Sequence, residues 1–266
     1  MTAGRRALNE FEIAAATLVL GLILLAFIYS INIRVENIIL RKIAEDFYEI
    51  NRIYRSKLML SLSADRTVSS HEARLKEEAA TLRAVAQRIS RIFTRVTGRH
   101  CVTTIKLVTE QNDNYFVRTY VRSEDLSLRD LSEHPNYELN SKKNTAFSAA
   151  CRPRSDGLPR HFFSNDLRFA ANYNDQRQHF LRYYRSILTV PIQGLGLDDS
   201  SESSESDIIG FLTVDTMSVN RLNNNYHAFM LAALASQIYN FISMMRGRYA
   251  IENQDSAGTN GPVEED

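Results

Sequence analysis

Seven arginines fall between Arg152 and Arg185, at positions 152, 154, 160, 168, 177, 182 and 185, with no lysine among them and only Asp156, Asp166 and Asp175 opposing them. A guanidinium is a planar fork of donors that matches the oxygens of a carboxylate or phosphate two at a time, so this density of arginine predicts a site for an anionic ligand. The same side chains have a second reading, in which they lie over a surface helix and pair with nearby acids. Aromatic residues are interleaved with them: Phe162, Phe163, Phe169, Tyr173, Phe180, Tyr183 and Tyr184. Their rings could stack on a planar ligand or fill a core. The residues expected to bind a ligand are Phe147, Cys151, Arg160, Phe163, Arg168, Tyr173, Arg177, Tyr183 and Arg185.

Other chemistries lack their residues. His100-Cys101 and His161 are the only suggestive metal donors, and no CxxC, HxxxH or HExxH spacing accompanies them, so no metal site is expected. His179 and His227 fall on predicted helices with no carboxylate fixed beside them, which leaves a proton-transfer role unsupported. A nucleophilic Cys151 would need exposure beside His161. Asp215 reads as a strand-end residue that accepts local backbone hydrogen bonds. No Gly-rich phosphate loop or nucleophile elbow is present. The expectation is a protein that is not an enzyme, with the cofactor unknown.

The elements that must position these residues begin with a stretch free of charge. Ile13 to Ile33 holds 21 residues without a charged side chain, twelve of them Ile, Leu, Val or Phe. At about 1.5 Å per residue it reaches across a hydrocarbon core of about 30 Å, so a transmembrane helix is predicted at 13–33, after a short non-cytoplasmic tail at 1–12. Arg34, Arg41, Lys42, Arg52, Arg55 and Lys57 follow the span, whereas only Arg5 and Arg6 precede it. The flanking cations therefore place the C-terminal domain in the cytoplasm of a single-pass cell-membrane protein. Two cysteines with no disulfide framework agree with a reducing compartment, and a net charge of +1 argues against nucleic-acid binding.

Beyond the span, Leu40, Ile43, Phe47, Ile50 and Tyr54 recur at helical spacing, predicting a helical linker over 34–71 with a hinge at Ser63 to Ser70. Leu75, Ala79, Leu82, Val85, Ala86, Ile89, Ile92, Phe93 and Val96 stripe a second helix that Gly98 ends. CVTTIKLV and YFVRTYV read as a hairpin around EQNDN. TAFSAA, from Thr145 to Ala150, and HFFS suggest short strands, and Asp175 to Tyr184 looks helical. SILTVPI and IIGFLTVD are strong strand runs. Phe229, Met230, Ala233, Leu234, Ile238, Phe241, Ile242 and Met245 stripe a closing helix. The acidic, serine-rich 198–207 and the tail 248–266 are too polar to bury, and read as disordered.

Ser186, Val190 and Pro191, followed by Gly210, Leu212, Val214 and Asp215, match the S-x-x-x-V-P-I and G-x-L-x-V-D runs, and with the opening and closing helices they resemble the GAF domain, a cousin of the PAS fold. The resemblance covers roughly Glu72 to Met245. It implies an α+β domain over 72–247: a central antiparallel sheet flanked by N- and C-terminal helices, with a loop-bounded pocket on its other face. It also implies a sensory or regulatory module. The signature of cyclic-nucleotide-binding members, a bilin-attachment context and the loop cysteines of the free methionine sulfoxide reductases do not occur here. The expected protein is a membrane-tethered module that dimerises and responds to a small, anionic ligand or a cytoplasmic protein partner. The alternative is a scaffold whose pocket is filled by its own side chains. A homodimer contact is expected through Leu75, Leu82, Ile89, Phe93, Leu234, Ile238 and Phe241.

Overall fold

A computed structural model describes residues 2–63, 71–112, 114–124, 136–139, 145–171, 173–175, 179–194 and 208–258, with side chains described from 24 to 60 and, within the later ranges, from 72 to 247 apart from 136. The hinge at 64–70 and the loop at 198–207 lie outside the described residues. The chain forms two compact units, Met1–Glu45 and Asp46–Asp266.

The first unit belongs to helix α1, Thr2–Ser63, which contains the uncharged stretch 13–33. Side chains up to residue 23 lie outside the described residues. Those that follow are exposed and apolar: Leu24, Leu25, Phe27, Ile28, Tyr29, Ile31 and Ile33. An i,i+4 pair, Arg41 with Glu45 at 3.1 Å, lies toward the end of this unit.

In the second unit the remainder of α1 is part of the core. Ile50 is fully buried, and Tyr54 is 7% exposed and stacks on Phe241 with ring centroids 4.9 Å apart. Asp46, 2% exposed, accepts from Arg88 at 3.1 Å and also from Arg95 of α2 (His71–Thr97). The arginine-rich face of α2 thus finds an acid where α2 itself supplies none between Ala79 and Thr97. Gly98 ends α2 at φ 65°, the left-handed conformation that glycine adopts without steric cost.

Six strands form one antiparallel sheet: β1 (Val102–Gln111), β2 (Asn114–Arg122), β3 (Asn136–Glu138), β4 (Phe162–Ser164), β5 (Ser186–Gln193) and β6 (Ile208–Thr216), in the order β3-β2-β1-β6-β5-β4. The architecture is α+β. β6 is central, and Gly210 marks where it presses against β1: a Cβ there would sit 2.2 Å from the Lys106 carbonyl oxygen. Partners in register share a face. Thr103, Ile105 and Leu107 therefore align with Val214, Leu212 and Gly210, and these with Leu188, Val190 and Ile192, on the face covered by α2 and by α4 (Tyr226–Gly258). By length and composition, Tyr226–Gly247 of α4 could cross a membrane. Here its Leu231, Leu234, Ile238, Phe241 and Ile242 are buried, as in a core helix.

Three expectations of local structure change. Thr145–Cys151 is a helix, α3, because Ala146, Phe147, Ala150 and Cys151 fall on one helical face and all bury it. Asp175 to Tyr184 is not helical throughout: the described part holds one 3-10 turn at Phe180–Arg182. The polar residues 252–258 continue α4 rather than leaving it at 247. Leu82, Ile89, Phe93, Leu234, Ile238 and Phe241, expected between copies, are at most 1% exposed in this chain's own core. Their apolar stripe is consumed by the sheet and by α1, and Leu75 alone of that set remains accessible, at 40%.

Candidate functional site

The sheet face opposite α2 and α4 is where charge and apolar surface meet. β1 turns Thr104 and Lys106 toward it, β6 turns Phe211, Thr213 and Asp215, and β2 turns Arg122 after a register shift between Ile105 and Lys106. α3 lies over one part of this face. There Phe147 packs on Phe211 and Tyr137 in a cluster with Val117, Ala150 and Cys151.

Lys106 is 5% exposed, a position that a lysine keeps only with compensation. Its ammonium donates to Thr119 Oγ1 at 3.2 Å and lies over the Tyr137 and Phe147 rings, 4.6 and 5.4 Å from their centroids. Arg122 and Asp215 are 7% and 3% exposed on the two strands that flank β1. On the other side, Asp175 accepts from the Tyr173 hydroxyl at 3.1 Å and from that of Tyr184, and the two phenol oxygens are 3.0 Å apart. Burial pushes the Tyr173 phenol well above its usual pKa, and the neighbouring Tyr184 and Asp175 add to that shift.

These residues enclose a cavity of about 20 Å³, lined by Thr104, Lys106, Arg122, Phe147, Tyr173, Asp175 and Asp215 among others. It has room for about one water molecule. Thr104 Oγ1, buried in its wall, makes no hydrogen bond among the described residues. Arg122 and Asp215 are shared with a second pocket, of about 290 Å³, which His100, Val102, Glu124, Arg182, Tyr183, Thr216, Met217 and Ser218 complete. The two carboxylates and two cations of the inner cavity balance in formal charge.

Of the nine residues expected to bind a ligand, Phe147 and Tyr173 line the inner cavity and Tyr183 the outer pocket. Cys151 is 5% exposed in the apolar cluster under α3. Phe163 pairs in register with Leu188 and so shares the opposite face of the sheet. Arg168 is exposed and bound to Asp166, two residues away, while Arg160 and Arg185 line neither pocket. Arg177 lies outside the described residues. Lys106, Arg122, Thr104 and Asp215 were not anticipated as site residues. The sequence carried little signal for them, because Lys106 between Ile105 and Leu107 keeps the apolar-polar alternation of a strand with one solvated face.

The thiols and imidazoles have local roles. Cys101 is fully buried just before β1, and burial raises its thiol pKa. His161 is 3% exposed, with its ring nitrogens 2.6 Å from Pro159 O and from Asn224 Oδ1. His227 Nδ1 accepts from the Asn223 N–H at 2.9 Å at the start of α4. Among the described residues no group of three or more His, Cys, Asp or Glu could hold a metal ion.

No protein-family model matches the chain, and no curated protein matches it. Among solved structures, it is similar to the GAF domain region of a protein from Geobacter sulfurreducens PCA, at 15% identity over 66% of this chain and 99% of that one, TM-score 0.45. It is also similar to the type II free methionine-R-sulfoxide reductase of Thermoplasma acidophilum, at 11% identity over 65% of this chain and 96% of that one, TM-score 0.42. The GAF domain of an Acinetobacter phosphoenolpyruvate-protein phosphotransferase matches at 14% identity over 68% and 93%, TM-score 0.40. With TM-scores below 0.5, none of these likenesses bears on what this chain does.

Proposed function

We propose that the chain is a membrane-tethered regulatory module of the GAF-like kind, in which a small ligand or a cytoplasmic partner is registered at the polar face of the sheet. The carrying observation is the group of charged side chains sunk into that face: Lys106, Arg122 and Asp215, each under 8% exposed, around a cavity that adjoins an open pocket. Burying three charges is costly in a protein that needs only an apolar core, and such arrangements concentrate where ligands are recognised. The Ser186 to Asp215 motif run, which lies in β5 and β6, supports the GAF-like assignment. The uncharged 13–33 and the exposed apolar side chains of α1 support the tether, with the domain on the cytoplasmic side. A homodimer is part of the proposal, its contact resting on accessible positions such as Leu75, Tyr226 and Phe229.

The test is purification of the full chain from membranes, followed by native mass spectrometry. A bound small molecule lost in Lys106→Met is the expected result. Release of the intact chain by alkaline wash would remove the tether.

The scaffold reading is favoured by a specific observation, the inner cavity of only about 20 Å³ that Phe147, Tyr173 and Tyr184 help to line. Co-purification of a stoichiometric protein with no small molecule, unchanged in Lys106→Met, would select it.

A further inference from the structure

The end of the domain at which α1 enters it carries exposed arginines around three exposed apolar side chains, and we propose that this end rests on the anionic surface of the bilayer. The inference goes beyond the regulatory reading of the sheet face and takes from the proposed function only the tether.

Asp46, the first residue of the second unit, is held by Arg88 and Arg95 near the C-terminal end of α2. From there Gly98 to Cys101 lead into β1, whose Val102 pairs with Asp215 near the end of β6, and the Thr216 hydroxyl donates to the His100 carbonyl at 2.7 Å. The end of β6 is thus the end at which the chain enters the unit. Three loops are knit together there by backbone hydrogen bonds: Leu167 N–H to Arg185 O at 2.8 Å, Arg185 N–H to Thr216 O at 2.9 Å, and Asn220 N–H to Asn165 O at 3.2 Å. They present Phe169, Leu181 and Met217, which are 80%, 36% and 47% exposed, and Phe169 is the most exposed large apolar side chain among the described residues.

Beside them stand Arg182 and Arg221, both exposed and without an ion pair among the described residues. Arg168, 5.4 Å from the Phe169 ring centroid, donates to Asp166, and Arg185 interacts with the same carboxylate electrostatically. Within these loops four arginines therefore meet one acid, Asp166. The acidic stretch 198–207 is attached at Gln193 and Ile208, at the opposite end of the two strands that begin and finish here with Ser186 and Thr216.

Arginine next to exposed aromatic and aliphatic side chains is a composition that settles in a headgroup layer, with the cations on anionic lipid and the rings and methyls in the interface. An acidic soluble protein would meet the same arginines, but the course of the chain favours lipid. Twelve residues, 34–45, separate the predicted span from Asp46. As a helix they reach about 18 Å, so this end of the domain stays close to the bilayer whatever else the chain binds.

The chain has no tryptophan, so Phe169→Trp supplies a single reporter at an exposed position, with Met217→Trp as a second. Each full-length variant is reconstituted into nanodiscs of phosphatidylcholine, or of equal parts phosphatidylcholine and phosphatidylserine, with and without acyl-brominated lipid. A blue-shifted emission and quenching by the brominated lipid are expected only with phosphatidylserine. Raising NaCl from 0.1 to 1 M, which cuts the Debye length from about 10 Å to about 3 Å, should reverse both. Arg182→Ala and Arg221→Ala should each lower the docked-to-free ratio about fivefold without shifting the unfolding midpoint.

Quenching as strong in phosphatidylcholine alone, or unchanged by both arginine variants, overturns the anionic surface as the occupant. Absence of quenching in chains that have entered the discs overturns the docking and leaves the tether standing. A blue shift that follows the number of chains per disc rather than the phosphatidylserine assigns this end to a second copy, and also overturns the proposal. If the chain does not enter the discs the tether falls, and flotation with phosphatidylserine vesicles then decides the docking. Flotation that both arginine variants lose upholds it, and any other result overturns it.

Discussion

Glu78 gives the most direct test of the packing described above. It lies in α2 with a relative exposure of 1%, and neither carboxylate oxygen has a hydrogen-bond partner among the described residues. Its ionic contact is Arg246 Nη2 at 3.5 Å, on a side chain that is 47% exposed. An unsatisfied buried acceptor costs about 1–3 kcal/mol. A half-solvated ion pair returns less than about 1 kcal/mol. Glu78→Met keeps the length of the side chain and removes both oxygens, so the folded state should gain roughly 1–2 kcal/mol. For a domain of this size, at about 2–4 °C per kcal/mol, the midpoint should rise by about 2–8 °C. The chain has no tryptophan, so far-UV circular dichroism or calorimetry is the suitable readout. Tyr54→Phe, which removes another buried hydroxyl that has no hydrogen-bond partner among the described residues, should be neutral or stabilising in the same assay. A midpoint lowered by Glu78→Met would show that the carboxylate has a strong partner in the folded protein and that the three helices are packed differently from the arrangement above.

Three other outcomes follow from named contacts. Gly210→Ala forces a Cβ to within 2.2 Å of the Lys106 carbonyl, so β1 and β6 must part. A loss of about 2–4 kcal/mol is expected in denaturant titration. Asp46→Ala removes the acceptor shared by Arg88 and Arg95, both 31% exposed. Because the arginines keep some solvent, the expected loss is about 2–3 kcal/mol rather than the full cost of breaking a buried pair, with Asp46→Asn intermediate in the same titration. Tyr173 has its folded pKa raised above the model-compound value of 10.0 by burial. The folded chain then holds a proton that the unfolded chain releases, so this contribution is intact below pH 10 and is lost as pH rises toward the folded value. Tyr173→Phe should flatten the fall in stability measured above about pH 10.

How much of this could be read in the chain depends on the range of the forces involved. β5 and β6 were legible because Ile187, Leu188, Val190, Ile208, Leu212 and Val214 are β-branched or apolar in runs short enough for strands. The α2 stripe was legible because helical periodicity is local, but what covers it is not. The stripe that suggested a contact between copies is satisfied by this chain's own sheet and, at Phe241, by Tyr54 of α1. α3 was misread because TAFSAA is too short for periodicity to separate helix from strand, and the packing of Phe147 on Phe211 decides the matter from a distance.

Which charges line the cavities was hidden for a related reason. A dense run of arginines draws the eye, yet Arg154 and Arg168 are answered by Asp156 and Asp166 two residues away. Local pairs of this kind neutralise the signal on the surface without building a pocket. The charges that do line the cavities are single residues on strands, and each is tolerable only because of neighbours remote in sequence: Lys106 through Thr119 and the rings of Tyr137 and Phe147. Between Ile105 and Leu107 a lone lysine reads as the solvated side of an alternating strand until Phe147 of α3 and Tyr137 of β3 are seen to cover it. With that cover known, the lysine itself becomes the diagnostic, because a charge on a covered face needs compensation that a methionine would not. Lys106 therefore marks the covered polar face of the sheet, where the cavity lies, and the surface pairs of Arg154 and Arg168 do not.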